Sequence, residues 1–186
     1  MLDTVKSRVN GLDLNALGET VDAINQDAAL AKVTFNVTTR WTGQTGSETT
    51  VDGYTIGGER VARSHSIVAD EPFELLGSDS APNPQELLMA AVNACMTVGY
   101  VAGAALQGIT LDMLEIRTNG TLDLRGFLGL SDSVPPGYEA IDYEVRISGN
   151  GTPEQFEEIH ETVMKTSPNY FNLNRPIRMN GTLQVG

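Results

Sequence analysis

Cys95 is the only cysteine among 186 residues, and it stands within residues 87–111, a stretch that carries no charged side chain. A lone cysteine excludes an intrachain disulfide framework and any multi-cysteine zinc or iron–sulfur centre. It fits a reducing compartment, where a thiol stays free. Two chemistries compete for it. As a thiolate it is a nucleophile and a redox centre. As a thiol it is a small buried hydrophobe, the commoner fate of an unpaired cysteine. The other reactive side chains are scattered. His65 and His160 are the only histidines and have no metal-ligand spacing. His160 follows the apolar Ile159 and reads as a surface or edge residue. Asp112, Glu115 and Asp123 read as solvated strand faces. Gly57-Gly58 leads into another strand, not into a helix as a phosphate loop would. Neither a metal nor a cofactor is expected.

These residues must be positioned by a chain that fits one domain with a proper core. Twelve Lys and Arg stand against 24 Asp and Glu, a formal charge of -12. Such a balance argues against nucleic-acid phosphates and anionic membrane surfaces as partners. The segment Met1-Leu2-Asp3-Thr4-Val5-Lys6 lacks the basic start and apolar core of a signal peptide, so a cytoplasmic location is expected. Residues 87–111 are long enough to cross a bilayer. They include Asn93, Thr97, Gly99, Gly103, Gln107 and Gly108, and no Lys/Arg cluster flanks them. They read as a helix buried inside a soluble protein.

Leu14, Leu17, Val21, Ile24 and Ala28 share a helical stripe over residues 13–31. From Val33 the period becomes two: Val33, Phe35 and Val37 alternate with Thr34, Asn36 and Thr38, as in a half-buried strand. Trp41 reads as packing, in the core or between chains. Two more β-like stretches surround Asp52-Gly53 and Gly57-Gly58 and end near Val68; residues 77–82 form a loop. Asn83-Pro84-Gln85-Glu86 is a strong helix start, with Asn83 as cap, Pro84 at the first position and Glu86 closing a capping box. The helix is predicted to run to about Leu106 and stop at Gly108. Ala90, Ala94, Gly99 and Gly103 would let another backbone approach it. Strands follow around Leu114-Glu115-Ile116 and over Ile141, Tyr143, Val145 and Ile147. Thr152-Pro153-Glu154-Gln155 opens a second capped helix with the apolar face Phe156, Ile159, Val163 and Met164. It ends at Ser167-Pro168. Ile177, Met179, Gly181, Leu183 and Val185 predict a final strand. The order gives an α+β protein with mostly antiparallel sheet.

The run Asn83-Pro84-Gln85-Glu86-Leu87-Leu88-Met89-Ala90-Ala91-Val92-Asn93-Ala94-Cys95 resembles the central-helix signature of the OsmC/Ohr family of organic hydroperoxide reductases. Gly120-Thr121-Leu122-Asp123 and Pro136-Gly137-Tyr138 are similar to its middle strands and loop, and Thr166-Ser167-Pro168 to the site of its second cysteine. The likeness divides the chain into an N-terminal helical extension, residues 1–32, and an OsmC-like domain, residues 33–186. It implies an intertwined homodimer with antiparallel sheets wrapped around long central helices. It further implies a peroxidatic thiolate activated by a glutamate and an arginine, a second cysteine that forms a disulfide with it, and a dithiol electron donor.

By this resemblance Cys95 is the attacking residue. Its distance from the helix start, about three turns, denies it the dipole of the first turn, so a neighbour must stabilise the thiolate. The family's glutamate falls on Gln85, which can hydrogen-bond but cannot act as a carboxylate. Glu86 is next to it; at about 100° per residue it projects opposite to Cys95, and its capping role accounts for it. The arginine aligns with Gln44; Arg40 and Arg63 are possible replacements, each also readable as a solvated strand residue. Ser167 replaces the second cysteine, which excludes a two-cysteine cycle within one chain. An external thiol must then reduce the oxidised residue. Three functions follow: a one-cysteine peroxidase acting on organic hydroperoxides, a non-catalytic dimer binding a small apolar ligand, and a sensor or structural protein with Cys95 as packing.

Overall fold

The computed structural model describes residues 8–186, so the N-terminal hexapeptide considered above lies outside the described residues. The chain divides into two compact units, one up to Ala90 and one from Ala91.

The first unit opens on a short hairpin, β1 (Arg8–Val9) and β2 (Leu12–Asp13), so the extension is not helical throughout. Helix α1 (Leu14–Gln26) follows, capped by Asp13, whose carboxylate accepts from the amides of Asn15 and Ala16. Asp27 breaks it before a 3-10 turn, Ala28–Ala31, so one predicted helix is two pieces. None of the α1 stripe is buried.

Strands β3 (Val33–Phe35), β4 (Thr38–Gly43), β5 (Gly46–Ile56) and β6 (Glu59–Ala69) form one antiparallel sheet. β5 is its centre, pairing with β6 along one edge and with β4 and then β3 along the other. Gly57 and Gly58 make the β5–β6 turn, both with positive φ (56° and 86°), as a two-residue hairpin turn requires. The alternation over Val33, Phe35 and Val37 predicts a half-buried strand; all three are exposed, Phe35 by 67 %, because nothing among the described residues covers that face. Trp41 is likewise exposed, not core, and its indole N–H donates to the Gln44 carbonyl.

Helix α2 (Pro84–Leu106) begins and ends where the sequence predicts, with Gly108 at φ 71° beyond its end. From Ala91 onward it belongs to the second unit. There it packs against the β7–β8 hairpin (Leu111–Gly120 and Ile141–Gly149) and α4 (Pro153–Thr166). A four-residue helix, α3 (Leu124–Phe127), lies between the strands, and α5 (Pro168–Asn174) follows α4 directly. Val92, Met96, Tyr100 and Ala104, spaced by four, form the buried stripe of α2 against Ile159 and Val163 of α4. Gly99 and Gly103 permit that approach: an added Cβ would lie 3.0 Å from Val163 Cγ2 and 3.0 Å from Ile159 Cγ2, respectively.

Helix α2 was expected to be buried; by length and composition it could cross a membrane, yet only 22 % of its most apolar stretch is buried within the chain. Ala90, Ala94, Val98 and Leu106 form an exposed stripe across from the buried one. The predicted final strand is also absent: residues 176–186 have no regular structure, and Met179 and Leu183 are about 90 % exposed (91 % and 88 %). An alternating pattern becomes a strand only when a neighbour supplies the ladder, and within the described residues none pairs with this segment.

Candidate functional site

Cys95 lies half-buried on α2, beside the fully buried Met96. Opposite it is the junction of α4 and α5. Ser167 ends α4 by donating its amide to the Val163 carbonyl at 2.8 Å. Pro168 cannot continue a helical ladder at its own nitrogen, so the chain turns and restarts as α5. Ser167 then caps α5, its Oγ accepting from the Tyr170 amide at 3.4 Å. The same hydroxyl donates to Cys95 Sγ at 3.4 Å, the hydrogen bond on that sulfur among the described residues. Asn169 adds a second tie, its Nδ2 donating to the Ala91 carbonyl at 2.9 Å, one turn before Cys95.

The helix is held from its other side by Asn93. Its Nδ2 donates to the Ile116 carbonyl of β7 at 3.3 Å, and its Oδ1 accepts from the Thr118 hydroxyl. Thr97 returns a hydroxyl to the Asn93 carbonyl. The polar residues that interrupt the apolar stretch therefore dock α2 on the β7–β8 hairpin. The site these ties create is a half-buried sulfur with one hydroxyl donor. A donor of that kind stabilises a thiolate, and a serine cannot form a disulfide with it.

The other sequence-derived candidates have partners of their own. Asn83 Oδ1 accepts from the amides of Gln85 and Glu86, and Glu86 Oε2 accepts the Asn83 amide at 2.8 Å, the reciprocal pair of a capping box. Gln85 stands ten residues before Cys95, about 15 Å along the helix axis and out of hydrogen-bond reach within its own chain. Gln44 sits in the β4–β5 turn at φ 49°, with Nε2 donating to the Leu76 carbonyl. Arg40 faces Glu48 in the β4–β5 register. Arg63 lies over the Tyr54 ring, 5.0 Å from its centroid. His65 is an exposed strand residue of β6.

Sequence reasoning missed two clusters. The first is His160, expected as a surface or edge residue and found half-buried: Nδ1 is hydrogen-bonded to the hydroxyl of Tyr100, and the ring stacks on Tyr100 at 6.0 Å and lies tilted 6.3 Å from Tyr143. Burial, and then the neighbouring Tyr143, push the Tyr100 hydroxyl far above its ordinary pKa. Burial pushes up Tyr143 as well, with Tyr170 adding to it. The signal was present, since His160 is four residues from both Phe156 and Met164 and shares their helix face. The second is Asp70, 2 % exposed. It accepts from the hydroxyls of Thr45, Ser78 and Ser80 and from the amides of Glu71, Ser78 and Ser80. Ser78 first, then Thr45, hold its carboxyl far below the usual range against the opposing effect of burial. Glu71 beside it accepts from Asn83 Nδ2 at 2.7 Å, so the loop also fixes the residue that caps α2. Among the described residues no three His, Cys, Asp or Glu gather as metal ligands.

Comparison with known proteins agrees with this architecture. A family model described as OsmC-like protein matches residues 77–180. Among solved structures, an OsmC-like protein from Mycoplasma pneumoniae is similar with a TM-score of 0.59 at 15 % identity, over 75 % of this chain and 86 % of that one. A putative osmotic stress induced and detoxification response protein from Psychrobacter arcticus gives 0.55 at 12 %, over 73 % and 85 %. An OsmC-like protein of unknown function from Vibrio cholerae gives 0.54 at 15 %, over 74 % and 91 %. No curated protein matched the chain.

Proposed function

The chain belongs to the OsmC-like protein family, and from that premise we propose that it is a soluble, cytoplasmic, one-cysteine peroxidase for organic hydroperoxides. The observation that carries the reading is the hydrogen bond from the buried Ser167 to Cys95 Sγ. The Cys95 thiolate attacks the outer oxygen of the hydroperoxide, and the O–O bond breaks. The leaving alkoxide takes a proton and departs as an alcohol, leaving Cys95 as a sulfenic acid. Ser167 donates to the attacking sulfur but cannot resolve the product. Two equivalents of an external thiol reduce the sulfenic acid, yielding water and the thiol's disulfide.

The working form in this reading is a homodimer. Its support is the apolar stripe Ala90, Ala94, Val98 and Leu106, open along α2, and the alternating segment Ile177 to Val185, which pairs with no strand among the described residues. A second chain would cover the one and pair the other, and residues 33–186 form the domain that does so.

A second reading is favoured by one observation: no arginine or carboxylate among the described residues hydrogen-bonds Cys95, and its donor is a neutral hydroxyl. The protein is then a dimer binding a small apolar molecule, with Cys95 as packing. Purified protein incubated with cumene hydroperoxide, with and without a small thiol, separates the two. The first reading expects thiol-dependent peroxide loss, sulfenic acid on Cys95 and complete inactivity of Cys95→Ser. Peroxide consumption that survives Cys95→Ser would overturn it.

A further inference from the structure

We propose that the cleft between β8 and α4 binds a small organic cation with an apolar body, of the arylalkylamine class. This site is separate from the thiol: neither Cys95 nor Ser167 lines it. The cleft has a volume of about 650 Å³, within the range of small-molecule sites. Its walls are apolar and aromatic, with Tyr143 from β8 and Phe156 and Met164 from α4. Its charged lining residues are Glu157 and Glu161, one turn apart on α4 and both exposed at the surface; among the described residues no lysine or arginine lines it.

That combination selects the ligand. An apolar body displaces water from the aromatic walls, and an ammonium group gains from the carboxylates and from the faces of Tyr143 and Phe156. An anion would meet two like charges. A neutral molecule would leave the carboxylates unused. Among the described residues Glu161 is paired with Lys165, whose Nζ lies 3.3 Å from Glu161 Oε2. Both side chains are well exposed, and an exposed pair of this kind is weak enough for a ligand to displace. His160 gives the cleft a fixed wall. Its Nδ1 is committed to the buried Tyr100, and its Nε2 has no protein partner among the described residues.

The test uses the full-length protein with 2-phenylethylamine and its neutral counterpart 2-phenylethanol, followed by calorimetry and by amide NMR shifts. Saturable binding of the amine is expected, at least tenfold tighter than the alcohol, with shifts centred on Tyr143, Phe156 and His160. The double variant Glu157→Gln/Glu161→Gln should weaken amine binding at least fivefold while its melting temperature stays near that of the parent. Cys95→Ser should bind the amine like the parent, so failure of the peroxidase reading leaves this one standing. Equal binding of amine and alcohol, an unchanged affinity in the double variant, or no saturable binding because a second chain covers the cleft would each overturn it.

Discussion

Ser167 Oγ lies 3.4 Å from Cys95 Sγ, bridging residues 72 apart in the chain. Replacing Ser167 with cysteine places two sulfurs at a separation that small rotations can close to a disulfide. Ser167→Cys treated with a mild oxidant is expected to lose both free thiols without dimerising through sulfur, read by thiol titration and non-reducing electrophoresis. Closing so long a loop would stabilise the chain by about 4 kcal/mol at most, less any strain in the bridge. Retention of two free thiols under oxidant would mean that the α4–α5 junction does not hold the two side chains in this relationship.

The capped helices were legible because their signals are local. Asn83-Pro84 with Glu86, and Thr152-Pro153 with Gln155, each supply within four residues the donors and acceptors that a helix start needs, and both capping boxes form. The Ser167 position came from the likeness of Thr166-Ser167-Pro168 to a family motif. Its contact with Cys95 crosses 72 residues, and no spacing rule reaches that far. His160 was misread for a related reason: what buries it is Tyr100 and Tyr143, on other elements. The tail over Ile177 to Val185 shows the opposite failure. Its pattern is clear, but a strand is a relation between two segments, and no second segment pairs with it among the described residues.

Asp70 makes the first unit sensitive to acid. Its folded carboxyl titrates below the ordinary value of 3.8, because Ser78, Thr45 and Ser80 donate to the ionised form. A depressed pKa contributes stability that is present above the unfolded value and is lost as pH falls through the folded one. The melting temperature of the parent should therefore fall steeply below about pH 4. Asp70→Asn should melt lower than the parent at pH 7, with the gap narrowing as pH drops. A gap independent of pH would indicate that the loop is held by shape alone.

Tyr100 predicts the opposite edge of the pH range. It is 1 % exposed and bonded to His160, and burial raises its folded pKa above the ordinary 10.0. A raised pKa contributes stability fully present below the unfolded value and lost as pH rises toward the folded one. Alkaline unfolding above pH 10 should therefore be milder in Tyr100→Phe than in the parent. At neutral pH the same variant should lose about 1 kcal/mol for the missing hydrogen bond, measured by urea denaturation. Parallel alkaline curves for the two proteins would remove Tyr100 from the cause.

Val98 tests whether the open stripe of α2 is an interface. It is 69 % exposed, and Leu106, two turns on along the same line, is 67 % exposed. Across the helix, Met96, Tyr100 and Ala104 are almost wholly buried, so substitutions at Val98 leave the chain's own core untouched. Leaving a contiguous apolar stripe of this length in water is unfavourable, and a second copy is the occupant the family likeness implies. Sedimentation should give the parent a mass of twice 20.0 kDa. Val98→Asp places a charge where two such stripes would meet, and burying it unpaired would cost several kcal/mol. The variant should sediment as a single chain at micromolar concentration, or melt at a concentration-dependent temperature well below the parent. A dimer of unchanged stability would show that another surface joins the chains. A parent of 20.0 kDa would show that α2 stands open in solution, and the homodimer would have to be abandoned.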